Sequence, residues 1–282
     1  SRLDRHMALM PNGPPASKRT CLRLAWDAFR HFSRPRDGGP PAEGGEAVST
    51  LLTEYGSLSG VQTPQVWPRL RETNGVAEDT IVDIKPDKIE QHILGFGAAL
   101  TESSAVVISE SPQRDALLDD LFMPTSRGGA GLSLVRICIG SSDFALELKT
   151  YQDTPSGRLD LSRDAEVVIP LVLAAKARNP ELVVIASPWS PPAWMKTSGD
   201  LCGGSLRQDC MTLYCHYLLR ALLYFKSRGV PIAALTLQNE PENGDQGYPC
   251  MFMTAEQEAA LAMELVPLLR QNGVETLVLG HD

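Results

Sequence analysis

IAALTLQNEPENG, residues 232–244, opens as an apolar run and stops at Asn239, Glu240 and Pro241. A run of this length reads as a buried strand, and a proline directly after the acid prevents the hydrogen-bond ladder from continuing. The sequence therefore predicts a carboxylate at the carboxyl end of a strand. In an α/β fold the loops beyond those ends form the face where chemistry is done. One strand-end glutamate carries little by itself. Its weight comes from other strands that finish in the same way.

Four more segments read as strands: HILGFGAAL (92–100), LSLVRICIG (132–140), LVVIASPW (182–189) and TLVLGHD (276–282). Between the five strands, helical patterns are expected over 103–122, 165–178, 209–228 and 254–271, the last opened by Thr254 and Gln257 at capping-box spacing. Strands that alternate regularly with helices imply parallel βαβ units. The strands end in Thr101 and Glu102, in Ser141, Ser142 and Asp143, in Trp189, in Asn239 and Glu240, and in His281 and Asp282. Polar and aromatic groups delivered by successive strands to one face describe a (β/α)8 TIM barrel better than a doubly wound sheet, whose site lies at a switch point. Only five βα units are visible, so the expectation is a barrel truncated after about five of its units. Gly95-Phe96-Gly97 does not complete a dinucleotide fingerprint, because Leu100 occupies the place of the third small residue. The two glycines are expected to permit a tight turn at the barrel mouth.

Composition narrows the classes. A net charge of −8 over 282 residues, with no basic stripe, argues against a nucleic-acid partner. The six cysteines, at 21, 138, 202, 210, 215 and 250, lack paired metal-site spacing. Cys202 and Cys210 flank a Gly-Gly loop and read as thiols, with pairing in an oxidising compartment as the alternative. No apolar stretch reaches the roughly 20 residues that span a bilayer. YCHYLLRALLYF, interrupted by Arg220, reads as a buried amphipathic helix. No signal peptide and no Asn-x-Ser/Thr sequon is visible. SRPRDGGPPAEGGE (33–46) is too poor in apolar groups to order itself, so residues 1–48 read as a poorly ordered leader. STLLTEY and DTIVDIKP read as short strands at 49–85 that pair outside the main fold, and residues 86–282 read as the barrel part.

GFGAALTESSA (95–105), RICIGSSDFA (136–145), YQDTP (151–155), ASPWSPPAWMKTSG (186–199) and LQNEPENG (237–244) resemble the successive strand-end motifs of glycoside hydrolase family 30, most closely its glucosylceramidase branch. The resemblance covers roughly residues 78–282. It implies a (β/α)8 barrel with a small β side domain and a retaining β-glycosidase acting on glucosylceramide or a related β-glucoside. It makes Glu240 the acid/base, which must hold a proton until the leaving group departs. Asn239 would bond the sugar 2-hydroxyl, Asp143 would accept from sugar hydroxyls, and Trp189 would cover the apolar side of the ring.

Arg136, charged within a strand, should meet a carboxylate, by resemblance near the nucleophile. His281 and Asp282 match the fifth-strand end on the leaving-group side, with Asp282 in a supporting role. Trp194 is expected in the core and Lys196 on a solvated face. Ala98 and Glu102 stand where the family more usually has glycine and aspartate, which leaves Glu102 without a clear role. The family's nucleophile is a glutamate at the end of the seventh strand, and no such strand exists in this sequence. The chain by itself is accordingly expected to be inactive and marginally folded. No cofactor or metal is implied. The partners implied are a glycolipid or β-glucoside, with peripheral contact to a lipid surface, in a lysosomal or secreted setting. The alternatives are an inactive carbohydrate-binding barrel fragment, or another family activity such as xylanase or β-1,6-glucanase.

Overall fold

The computed structural model describes Lys88, residues 93–244 and residues 247–280. Apart from Lys88 and Ile93 these belong to one compact unit. The expected leader (1–48), the side-domain strands (49–85), His281 and Asp282 lie outside the described residues.

Five strands, β1 (Gly97–Leu100), β2 (Leu134–Ile139), β3 (Val183–Pro188), β4 (Ala234–Thr236) and β5 (Leu277–Leu279), form one sheet. Its spatial order is the sequence order, β1-β2-β3-β4-β5, and every neighbouring pair is parallel. A doubly wound sheet would reverse direction at a switch point. This one does not, which is the arrangement of consecutive barrel strands. Helices follow the strands: α1 (Glu102–Ser109) and α2 (Arg114–Phe122) after β1, α3 (Ile169–Arg178) after β2, α4 (Met211–Ser227) after β3 and α5 (Ala255–Gln271) after β4.

The helix expected over 103–122 is two helices. Pro112 lacks an N–H and disfavours helical backbone at Ser111, so the chain turns there and restarts at Arg114. α5 begins as the sequence predicts, with Thr254 and Gln257 bonding reciprocally to each other's backbone N–H. α4 is the buried helix expected around Arg220. It presents Tyr214, Tyr217, Leu218, Leu222 and Phe225 to the core, and Tyr217 stacks between Tyr214 and Tyr151.

Gly95 and Gly97 do not form a turn at the mouth. They sit at the opposite, amino-terminal end of β1, where β2 comes close. A Cβ on Gly97 would lie 1.9 Å from the Leu134 carbonyl oxygen with which its strand pairs. Gly97→Ala should therefore separate β1 from β2 and lower unfolding stability by about 2 kcal/mol or more in urea titration.

The excursion after β2 packs against the start of α1. Glu102 accepts from Arg163 Nε at 2.9 Å and from the backbone N–H of Leu146 at 2.9 Å. Next to this pair Asp164 opens a π-helical turn, Asp164–Val168, leading into α3. Burial pushes the Asp164 carboxyl up to about 7, helped by the nearby charge of Glu102 and opposed by Tyr151 and Arg163. A carboxyl whose folded pKa is raised contributes stability below its unfolded value and loses it as pH rises through the folded value. Relative to Asp164→Asn, the wild-type chain should lose roughly 3 kcal/mol of stability between pH 4 and pH 7, measured by denaturant titration at each pH.

Candidate active site

The carboxyl ends of β2, β3 and β4 are bound to one another by side chains and backbone. Beyond β4 the chain keeps pairing with β3, the Asn239 N–H donating to the Pro188 carbonyl at 2.8 Å. Gln238, fully buried, donates through Nε2 to the Trp189 carbonyl at 2.7 Å and to the Asn239 carbonyl at 3.0 Å. From β2, Arg136 reaches across the sheet and donates through Nη2 to Asn239 Oδ1 at 2.8 Å. Its guanidinium carbon lies 4.7 Å from the centroid of the Trp189 ring. Three residues singled out in the sequence, Arg136, Trp189 and Asn239, thus form one contact set. Among its described contacts Arg136 meets an amide oxygen and an indole face. A guanidinium over a buried aromatic ring is stabilised by the ring quadrupole.

Glu240 follows directly, and among the described non-glycine residues it is the one with positive φ, +45°. A left-handed backbone at a glutamate costs on the order of 1–3 kcal/mol and persists only where the surroundings impose it. Here Asn239 is fixed on one side and Pro241 is buried on the other. The turn leaves the Glu240 side chain exposed, with Oε2 accepting from Asn243 Nδ2 at 2.6 Å. The same Nδ2 donates to the Tyr248 hydroxyl at 2.9 Å. Burial raises the Tyr248 phenol, and the charges of Glu240 and then Asp143 add to the shift. Both carboxylates therefore lie within electrostatic reach of one phenol. Asp143 is half-buried in a loop folded by Ser141 and Ser142. Ser141 Oγ donates to the carbonyl of Lys149 at 2.6 Å, and Ser142 Oγ accepts from the Phe144 N–H at 3.1 Å.

Trp189 is 6 % exposed, so its ring is part of the packed wall beneath the loops. Trp194 packs against the core as expected and donates through Nε1 to the Gln152 carbonyl at 2.9 Å. Lys196 is not on a solvated face. It is 3 % exposed and its ammonium donates to Ser190 Oγ at 2.9 Å, the Leu201 carbonyl at 2.6 Å and the Cys250 carbonyl at 2.7 Å. All three donors are used, which is what permits a buried cation here. Glu102, expected at the mouth, is committed to its ion pair with Arg163 and braces the loop after β2. Sequence reading missed Gln238, Asn243, Tyr248 and the buried Lys196. Asn243 and Tyr248 lie in the stretch beyond the strand-end glutamate, ENG and GYP, where turn residues gave no hint of chemistry.

Parallel strands in sequential order, with carboxylates, amides and an indole gathered where those strands end, define a barrel whose site is built from βα loops. Residues 93–279 match the glycosyl hydrolase family 30 TIM-barrel domain, and the chain belongs to that family. It is 31 % identical over 215 residues to an endo-1,6-beta-D-glucanase of Neurospora crassa, covering 71 % of this chain and 44 % of that protein. It is 29 % identical over 228 residues to the lysosomal acid glucosylceramidase of Mus musculus, covering 75 % and 44 %. The solved structure of an endo-beta1,6-glucanase superposes with a TM-score of 0.64 at 31 % identity, over 70 % of this chain and 45 % of that one. The chain thus spans about half the length of the curated relatives it matches.

Burial lowers the Lys196 ammonium to about 8, against the pull of Cys250, Cys202 and Asp200. An amine with a depressed folded pKa contributes stability above its unfolded value and loses it as pH falls through the folded value. Relative to Lys196→Met, the wild-type chain should gain roughly 3 kcal/mol between pH 8 and pH 10.5 in denaturant titrations. The comparison cancels the cysteine and tyrosine titrations common to both chains.

Proposed function

We propose that this barrel belongs to a retaining β-glycosidase and that Glu240 is its proton donor. The observation that carries the reading is the strained turn after β4, which turns a glutamate outward beside an amide anchored by Arg136. A retaining mechanism needs two carboxylates about 5 Å apart across the scissile bond. In the first step a carboxylate nucleophile attacks the anomeric carbon while Glu240 gives its proton to the departing oxygen. In the second step Glu240 takes a proton from water, which releases the sugar from the nucleophile. The nucleophile would come from a barrel strand following β5, as the family resemblance implies.

The neighbours suit the rest of the task. Asn239, with its oxygen held by Arg136, has its amide N–H2 oriented to meet the sugar 2-hydroxyl, a bond that tightens as positive charge builds on the ring. Asp143 accepts from other hydroxyls of the same sugar, and the Trp189 wall lies against its apolar side. Asn243 holds the Glu240 carboxylate toward Tyr248 and limits its rotation, which keeps the proton aimed at one place. His281 and Asp282 would extend the leaving-group side at the end of β5.

The bond cleaved is a β-glucosidic one. Glucosylceramide and β-1,6-glucan are the two substrates to compare, since relatives named for each match this chain at nearly equal identity. Substrate choice rests in loops, which strand-end residues do not determine. A glycolipid substrate would bring the mouth of the barrel against a lipid surface, and a lysosomal or secreted setting goes with that reading. Hydrolysis of an aryl β-glucoside, glucosylceramide and β-1,6-glucan should be assayed with the full gene product that contains these residues. Glu240→Gln should lower kcat by about a thousandfold or more, with the smallest loss on the aryl glucoside, whose leaving group needs little protonation. Full activity in that variant would remove Glu240 from the mechanism.

A further inference from the structure

The loops after β3 and β4 are joined by a contact that neither the sheet nor the proposed chemistry requires. The Cys250 N–H donates to the Leu201 carbonyl at 3.1 Å, and the Phe252 N–H donates to the Gly204 carbonyl at 2.9 Å, so the two segments run side by side. Between these bonds, the Gly203 N–H points at the Cys250 sulfur, 3.2 Å away. That nitrogen is two bonds from the Cys202 Cα, which puts the sulfur within about 5.6 Å of that Cα once the 3.2 Å contact is added to standard backbone dimensions. In a parallel pair a residue donates its N–H to the carbonyl just before its opposite neighbour. The Cys250 N–H bond to Leu201 therefore sets Cys250 opposite Cys202 with Cα atoms about 5 Å apart, inside the roughly 4.4–6.8 Å that a disulfide spans. The Lys196 ammonium, bonded to the carbonyls of both Leu201 and Cys250, holds the segments at this distance.

The thiols also differ in access. Cys202 is half-buried, whereas Cys250 is 3 % exposed. Burial raises the Cys202 thiol, and the charges of Asp200 and Cys250 raise it further, which is the mark of two sulfurs in one environment. Cys210, the partner that the sequence suggested, is buried at the start of α4, where its electrostatic neighbours are Asp209 and Arg207.

We propose that Cys202 and Cys250 form an oxidative modification site that closes into a disulfide, tying the β3 loop to the β4 loop that carries Glu240 and Tyr248. The oxidant is a low-molecular-weight disulfide. The accessible Cys202 thiolate attacks one of its sulfurs, forming a mixed disulfide and releasing one thiolate. Cys250, as thiolate, then attacks the Cys202 sulfur and expels the second. Two protein thiols give up two electrons and two protons, and the small disulfide becomes two thiols.

The full 282-residue chain should be incubated with oxidised glutathione, alkylated and digested with trypsin without reduction. Cys202 falls in the tryptic peptide 197–207, Cys210 and Cys215 in 208–220, and Cys250 in 229–270, so the map separates the pairings. The expected product is 197–207 joined to 229–270. Its formation should raise Tm by roughly 5–10 °C, and dithiothreitol should reverse the rise. Cys202→Ser, at the more accessible position, should abolish both the linked peptide and the shift. A link between 197–207 and 208–220, glutathione retained on Cys202, or full alkylation of both thiols after oxidation would overturn the proposal.

Discussion

A guanidinium rising from β2, inside a parallel sheet, must find acceptors without leaving the sheet, and Arg136 finds them by crossing β3 to the end of β4. Its hydrogen bond to Asn239 and its stacking on Trp189 connect β2 with the ends of β3 and β4. Arginine suits this role better than lysine would, because a planar fork can donate in its plane while an aromatic ring covers its face. Gln238 repeats the tie through backbone carbonyls of the same segment. With Asn239 held from both directions, the following residue has little conformational freedom, and the unusual backbone of Glu240 follows from that restraint.

The strain at Glu240 is also why the site is local. A left-handed turn between a fixed amide and a buried proline sends the carboxylate away from the sheet, toward Asn243 and Tyr248. Asn243 offers one nitrogen to both the carboxylate and the phenol, so the three groups share a single geometry. The charge of Asp143 acts on the same phenol from the loop after β2, a loop that depends on the Ser141 and Ser142 bonds and on the Glu102–Arg163 pair behind it. The Asp143 loop is therefore held by groups outside the candidate site, while Asn239 and Glu240 are held by their neighbours within it.

The strands and most helices were legible because apolar runs of strand length alternate with helical periods, and because strand-end residues such as Asn239 and Trp189 interrupt those runs. The order of the sheet followed from that alternation. What could not be read was long-range. Pro112 marked a break in the first helical stretch, yet the apolar pattern on both sides of it imitated one helix. Gly97 looked like turn material, because its function depends on a carbonyl of β2 that no local pattern announces. Lys196 looked solvated for the same reason: three acceptors converge on it from Ser190, Leu201 and Cys250, and only the folded chain brings them together. Asn243 and Tyr248 were hidden by their company, since Asn-Gly and Tyr-Pro are ordinary turn composition.

Lys196 shows how the two halves of the site depend on each other. The loop after β3 has little regular structure of its own, and residues 250–252 pass beside it, donating backbone N–H groups to the Leu201 and Gly204 carbonyls. A buried ammonium that binds carbonyls of both makes the position of each a condition for the other. Displacing Cys250 would leave a cation short of an acceptor in an apolar setting, which is costlier than losing an ordinary surface bond. Tyr248 lies two residues from Cys250, so the phenol beside Glu240 is placed by the loop that follows Trp189. The proton donor and the aromatic wall come from different strands, but a shared cation fixes the distance between their loops.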